Sequence, residues 1–237
     1  MIQDIAPHRM DNQFMAAIED PETARLPGNL VPVDSRRLRP DFYFGDENRH
    51  IIFEAYTAGQ LARWYHDNRY CGTCAHKTVP SKTERALCCP QCGRTIYPRI
   101  LPAVIIGVTD GDRILMTKYA GREYKRYALI AGFTEIGETV EETVQREVME
   151  EVGLKVKKIR YYKSQPWGFD SNLLLGFFCE LADEHEICLD REELSLAEWV
   201  DYHDILDDPE KLSLTHNMME YFRDQKKAGV WNIDAVS

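Results

Sequence analysis

Gly132–Leu154 reads GFTEIGETVEETVQREVMEEVGL, and the placement of its aliphatic and acidic residues decides the fold. Val140, Val144, Val148 and Val152 fall four apart, which at 3.6 residues per turn makes one apolar stripe on a helix spanning about 140–152. Thr139 is placed to cap its start, the acids Glu141 and Glu142 suit its first turn, and Gly153 is placed to end it in a left-handed conformation. Both ends are therefore specified locally.

Glu147, Glu150 and Glu151 stand at i, i+3 and i+4, so their carboxylates share a helical face. Three neighbouring anions repel. A solvated acidic face balanced by Arg146 accounts for such a triplet in isolation. Hard oxygen ligands grouped this way also suit Mg2+ or Mn2+, ions that keep positions for water and for phosphate oxygens. A cation held there would neutralise nearby negative charge and acidify a bound water. Arg146 is expected to orient a carboxylate by a bidentate contact. Glu138, just ahead of the helix, is open between the metal shell and a structural hydrogen bond.

The 237-residue chain has 44% hydrophobic residues, enough for a substantial core in one large or two small domains. It shows no run of about 18 apolar residues and no apolar leader behind a basic start, so a cytoplasmic protein without membrane contact is expected. A net charge of −10 argues against holding long nucleic acid by overall electrostatics, although Lys77, Lys82, Arg85, Arg94 and Arg99 make one segment locally basic.

Cys71-x2-Cys74 and Cys89-x2-Cys92 are two knuckles able to point four thiolates at a tetrahedral Zn2+. Reduced thiols in a cytoplasmic chain favour zinc over disulfides, and four protein ligands leave no open position, so this ion is expected to be structural. Cys88 offers a competing register with a three-residue gap. Cys179 and Cys188 are expected to be packing residues.

Elsewhere, 42–44 and 51–53 are expected as short strands of a small N-terminal lobe. Leu61, Trp64 and Tyr65 repeat at helical spacing. Asp110-Gly111 between 103–108 and 113–117 is a hairpin signal. Further strands are expected at 127–131, 156–162, 173–180 and 198–200, with a second helix at 214–227. Alternating elements of this kind suggest an α/β fold with a mixed sheet packed between helices.

Gly132, Glu138, Arg146, Glu147, Val148, Glu150, Glu151, Gly153 and Leu154 fill every specified position of the pattern G-x5-E-x7-R-E-U-x-E-E-x-G-U, where U is a bulky aliphatic residue. Over this stretch the chain resembles the Nudix hydrolases. Ser164-Gln165-Pro166-Trp167-Gly168-Phe169-Asp170-Ser171 is similar to the SQPWPFPxS array of the NADH pyrophosphatase branch, which also carries a four-cysteine ribbon followed by Tyr-Pro-x-Ile, here Tyr97 to Ile100. The resemblance covers roughly 60–235. It implies an α/β/α sandwich, with a lobe at 1–66, a zinc ribbon at 67–98 and a Nudix domain at 99–237. It further implies hydrolysis of the pyrophosphate bond of NADH and NAD to AMP and nicotinamide mononucleotide, extension to NAD-capped RNA, and a homodimer with a composite pocket.

On the same resemblance Glu193 is a further metal ligand, and Trp167 and Phe169 are stacking faces for a base. Tyr97 and Phe133 join them as aromatic candidates for substrate, against core packing as the plainer reading of each. Gln165, Pro166, Gly168, Asp170 and Ser171 complete the array, and the general base stays open among Glu150, Glu193 and an activated water. Gly168 and Asp170 stand where the branch has proline, which predicts a looser turn and a wider pocket. A broader dinucleotide or ADP-ribose pyrophosphatase is the alternative within hydrolases. A nucleotide-sensing or nucleic-acid-binding module is the alternative outside them.

Overall fold

The computed structural model describes residues 49–121, 126–183, 186–208 and 212–236, with side chains from 52 onward. The expected strand at 42–44 lies outside them. Two compact units divide the chain, one holding residues up to Ile100 together with Trp167–Asn172, the other holding Leu101–Pro166 and Leu173–Ser237.

Helix α1 (Arg49–Asp67) opens the described part of the first unit. The strand expected at 51–53 is therefore corrected to helix. Ile-Ile-Phe is β-prone when read alone, but Ile52, Tyr56, Leu61 and Trp64 are buried at helical intervals, and that longer period wins over three residues of local propensity. Three two-residue strands follow, β1 (Val79–Pro80), β2 (Leu87–Cys88) and β3 (Thr95–Ile96), paired antiparallel in that order. Strands this short contribute few hydrogen bonds, so the ribbon needs another source of stability.

The second unit is built on a six-stranded sheet. Strands β4 (Leu101–Asp110) and β5 (Arg113–Tyr119) form the expected hairpin, with Gly111 at φ +58° in its turn. Strands β6 (Ile130–Phe133), β7 (Val156–Trp167), β8 (Asn172–Leu181) and β9 (Leu194–Asp201) complete it in the order β7-β8-β4-β5-β9, with β6 on β4. The segment expected as a strand at 127–131 enters the ladder only at Ile130, Ala128 making an isolated bridge to Thr117.

Side-chain alternation sorts the core into two layers. Val104, Ile106, Val108 and Leu115 face Val144, Val148 and Val152 of α2 (Val140–Val152). Ile105, Ile114 and Met116 face Leu214, Met218, Met219 and Phe222 of α3 (Leu214–Lys227). The sheet thus has a helix on each side, the α/β/α sandwich expected from the sequence. Each fully buried aliphatic or aromatic side chain stabilises it by roughly 1.5–3 kcal/mol. Among the described residues no helix is long and apolar enough to cross a membrane.

Candidate functional site: a carboxylate helix, a thiol cluster and an aromatic turn

Helix α2 carries the glutamates, and its ends are fixed as the sequence predicts. Thr139 accepts from the Glu142 backbone N–H while the Glu142 carboxylate accepts from that of Thr139, a complete capping box. Gly153 closes the helix at φ +69°. Its neighbour β6 sets the depth of the site: a Cβ on Gly132 would lie 1.9 Å from the Glu147 carboxyl carbon. Glycine is required here because the Glu147 carboxylate fills the place of a side chain.

Arg146 organises this face. Its Nε and Nη2 donate to the two oxygens of Glu138 at 2.8 and 3.0 Å, a bidentate pair. Its Nη1 donates to Glu147 at 2.7 Å and Glu150 at 2.9 Å, and Nη2 also reaches the Phe133 carbonyl at 2.9 Å. Glu138 further accepts from the Thr143 hydroxyl and the Glu135 backbone N–H. The hydrogen bonds from Arg146 lead the causes that hold its pKa down to about 2. Of the two roles open to Glu138, the structure displays the hydrogen-bonding one.

Glu147 and Glu151 are 8% and 2% exposed. Burial, reinforced by their mutual repulsion and by Glu193, raises the pKa of Glu151 to about 8; burial also raises that of Glu147. Among the described residues, Glu151 Oε2 is a buried acceptor with no hydrogen-bond partner. An acceptor left this way inside a crowd of acids is costly unless something positive meets it. The donor set, all carboxylate oxygen, fits a hard divalent cation, with Glu147, Glu150, Glu151 and Glu193 as the residues that would hold it. Glu150 and Glu193 are solvent-facing. In this conformation Arg146 engages two of the four, and these oxygens are not drawn into a closed cage.

The cysteines are. Among the described residues, Cys71, Cys74, Cys89 and Cys92 are the one group of potential ligands whose atoms all lie within 4.8 Å of one another. The Cys71–Cys92 and Cys74–Cys89 sulfurs are 3.7 and 3.4 Å apart. A tetrahedral zinc with bonds of about 2.3 Å requires edges of about 3.8 Å, so the cluster fits that ion. The Thr73 backbone N–H leads the causes that lower the Cys71 thiol to about 6, while Cys74 is raised to about 12, so the close sulfurs share charge unevenly. Cys88 lies on β2 outside the group, which fixes the register at Cys89. Cys179 is buried as expected, whereas Cys188 is exposed.

The aromatic array divides between the two units. Gln165 uses its whole amide on the fold, donating to the Leu212 carbonyl at 2.9 Å and accepting from the Leu214 N–H at 2.7 Å. Pro166 is exposed. In the first unit, Trp167 and Phe169 both meet the Tyr56 ring edge-on with centroids 5.6 Å away, and Trp167 also meets Phe53. The turn, expected to be loose for want of its prolines, is contacted from α1. Gly168 is buried, with its would-be Cβ 2.7 Å from the Tyr56 carbonyl oxygen, and Arg63 binds the carbonyls of Gly168 and Phe169. Asp170 and Ser171 line a cavity of about 940 Å³ with Phe169, Tyr97, Arg63 and Arg99. Tyr97 is 58% exposed and donates to Glu84; Phe133 is 49% exposed in the other unit. Neither is a core residue.

Comparison with known proteins meets this geometry at both ends. Residues 66–97 match the NADH pyrophosphatase zinc ribbon domain, and residues 99–222, more than half of the chain, match the NUDIX domain. The chain belongs to the Nudix family. It is 44% identical over 146 residues to proteins named NAD-capped RNA hydrolase NudC from Escherichia coli O1:K1 and from Escherichia coli strain SMS-3-5. The match covers 62% of this chain, and the chain spans 56% of the length of those relatives. A crystal structure of a NUDIX hydrolase from Nitrosomonas europaea shares the fold, with a TM-score of 0.58, 20% identity, and coverage of 68% of this chain and 93% of that one.

Within the Nudix unit the sequence pattern names the glutamates and Arg146 but leaves the job of Thr143, which ties Glu138 to the helix start. In the ribbon unit it leaves Tyr56, Arg63 and Glu84 unnamed. Tyr56 has a local signal in its four-residue interval from Ile52. Arg63 has none, because its partners are backbone atoms more than a hundred positions away.

Proposed function

We propose that this Nudix protein hydrolyses the pyrophosphate bond of NADH and NAD, giving AMP with reduced nicotinamide mononucleotide from NADH and nicotinamide mononucleotide from NAD, and opens the same bond in NAD-capped RNA to leave a 5′-monophosphate on the RNA. Water adds to one phosphorus while the bridging oxygen leaves with the other half. The observation that carries the reading is the buried Glu151 oxygen, without a hydrogen-bond partner among the described residues and facing the charges of Glu147 and Glu193. A divalent ion, Mg2+ or Mn2+, supplies charge neutralisation at the diphosphate and activation of water when bound.

The protein's own part is positioning. Glu147, Glu150, Glu151 and Glu193 hold the ion, Gly132 gives Glu147 its room, and Arg146 keeps Glu147, Glu150 and Glu138 in place. Glu150 and Glu193 are the side chains with the exposure a proton acceptor needs. Tyr97, Phe169, Asp170 and Ser171 line a cavity with the volume to take a nucleotide portion, and Trp167 shares the Tyr56 ring with Phe169 while Gly168 packs on the Tyr56 backbone. In the Nudix unit Phe133 and Pro166 are exposed, whereas the Gln165 amide is committed to Leu212 and Leu214. Zinc on Cys71, Cys74, Cys89 and Cys92 stabilises the ribbon and takes no step in the reaction.

The E. coli relatives, named for NAD-capped RNA, support the substrate class. A cytoplasmic setting agrees with reduced ribbon thiols. A homodimer completing the pocket belongs to the same reading, and sedimentation at working concentration tests it. The deciding experiment compares initial rates on NADH, NAD, ADP-ribose and NAD-capped RNA with Mg2+ or Mn2+, products being identified by mass. AMP and reduced nicotinamide mononucleotide from NADH are expected; a strong preference for ADP-ribose would replace this reading with the broader pyrophosphatase.

A further inference from the structure

Two prolines in a short turn confine it to few conformations before any ligand arrives, whereas glycine does the opposite. Gly168 and Asp170 occupy the positions where proline is expected, so Trp167 and Phe169 would be free to swing unless something else restrained them. The structure supplies that restraint from α1. Arg63 Nη2 donates to two successive carbonyls, Gly168 at 2.6 Å and Phe169 at 2.9 Å. Among the described residues, these carbonyls are where its hydrogen bonds go. A surface charge or an ion pair does not account for it.

Glycine at 168 is demanded by the same contact. The Tyr56 carbonyl oxygen and carbon and the Thr57 nitrogen would lie 2.7, 2.8 and 3.0 Å from a Cβ at this position, all of them backbone atoms that do not yield easily. No side chain fits, the proline ring included. The two features interlock: glycine lets the helix approach, and the approach brings the guanidinium within reach of the turn.

We propose that Arg63 is a positioning residue for substrate recognition, fixing the Trp167–Ser171 turn so that Phe169 is preorganised at the cavity it lines with Tyr97. Two charge-assisted hydrogen bonds do here what covalent ring closure does elsewhere. The identity of the ligand rests on the pyrophosphatase reading above; the restraint itself does not.

Preorganisation of a binding surface acts on the ground state and the transition state alike, so its loss raises KM and spares kcat. The test uses the full chain as Arg63→Ala and Arg63→Lys. NADH kinetics are measured with Mg2+, and deuterium exchange of the 167–172 peptide without substrate. Arg63→Ala is expected to raise KM by about tenfold, the scale of one lost charge-assisted hydrogen bond, with kcat within about twofold and faster exchange in the turn. Arg63→Lys, able to reach one carbonyl, retains part of the effect. Unchanged KM and exchange in Arg63→Ala overturn the proposal, as does a parallel fall in kcat with loss of zinc in both single variants. If the wild-type chain leaves NADH uncleaved, the pyrophosphatase reading fails and exchange alone judges Arg63: faster exchange upholds the restraint, unchanged exchange removes it.

Discussion

Glu151 concentrates the chemistry of the site in one side chain. A buried carboxylate facing other acids opposes folding when charged, and a bound cation reverses the sign of its contribution. Glu151→Gln is therefore expected to leave the metal-free melting temperature equal or higher, while abolishing both turnover and the stabilisation by Mg2+. In the wild type that stabilisation reaches about 2.7 kcal/mol at a hundredfold excess over Kd, readable by thermal melts with and without the ion. Gly132→Ala forces the Glu147 carboxylate aside, since the added carbon would overlap it at 1.9 Å. A loss of about a hundredfold in kcat is expected with the fold retained, because small misplacements of reacting groups are that costly. Glu138 behaves in the opposite sense to Glu151. Its folded pKa of about 2 lies below the ordinary 4.5, so its contribution to stability is complete above about pH 4.5 and is lost as pH falls toward about 2. Melting temperature should accordingly fall less steeply with acid in Glu138→Gln than in the wild type.

Helix α2 shows how short-range rules and packing divide the labour. Its capping box, valine stripe and terminal glycine all follow from residues no more than four positions apart, and they are legible in the chain. Thr139→Ala removes the cap and is expected to cost about 1 kcal/mol, seen as a drop of about 2–4 °C in melting temperature. Helix α1 shows the reverse case. Its first apolar residues satisfy strand propensity, and the decision for helix comes from the buried interval running on to Tyr56, Leu61 and Trp64. Strand β7 likewise extends to Trp167, so half of the aromatic array is strand and only its second half is turn.

The two compact units draw stability from different sources. The Nudix unit has two apolar layers; the ribbon has three strands of two residues each and a thiol cluster. One zinc ion per chain is expected by elemental analysis. Stripping it with a chelator should speed amide exchange across 71–96 while the sandwich keeps its protection; full protection of a zinc-free ribbon would refute a structural metal.

What was readable from the chain was whatever obeys a fixed spacing: the glutamate helix with its caps, the paired CxxC knuckles, the Asp110-Gly111 hairpin and helix α3. Each is set by neighbours a few bonds away, so the order of residues suffices. Three-dimensional packing settled the rest: that Gly132 yields its side-chain space to Glu147, that Glu138 is held by Arg146 and Thr143, and that a glycine turn is stiffened by Arg63 and Tyr56. Arg63 meets that turn across more than a hundred positions, and Gly132 and Glu138 meet helix α2 from outside it, so no periodicity within one element records these contacts.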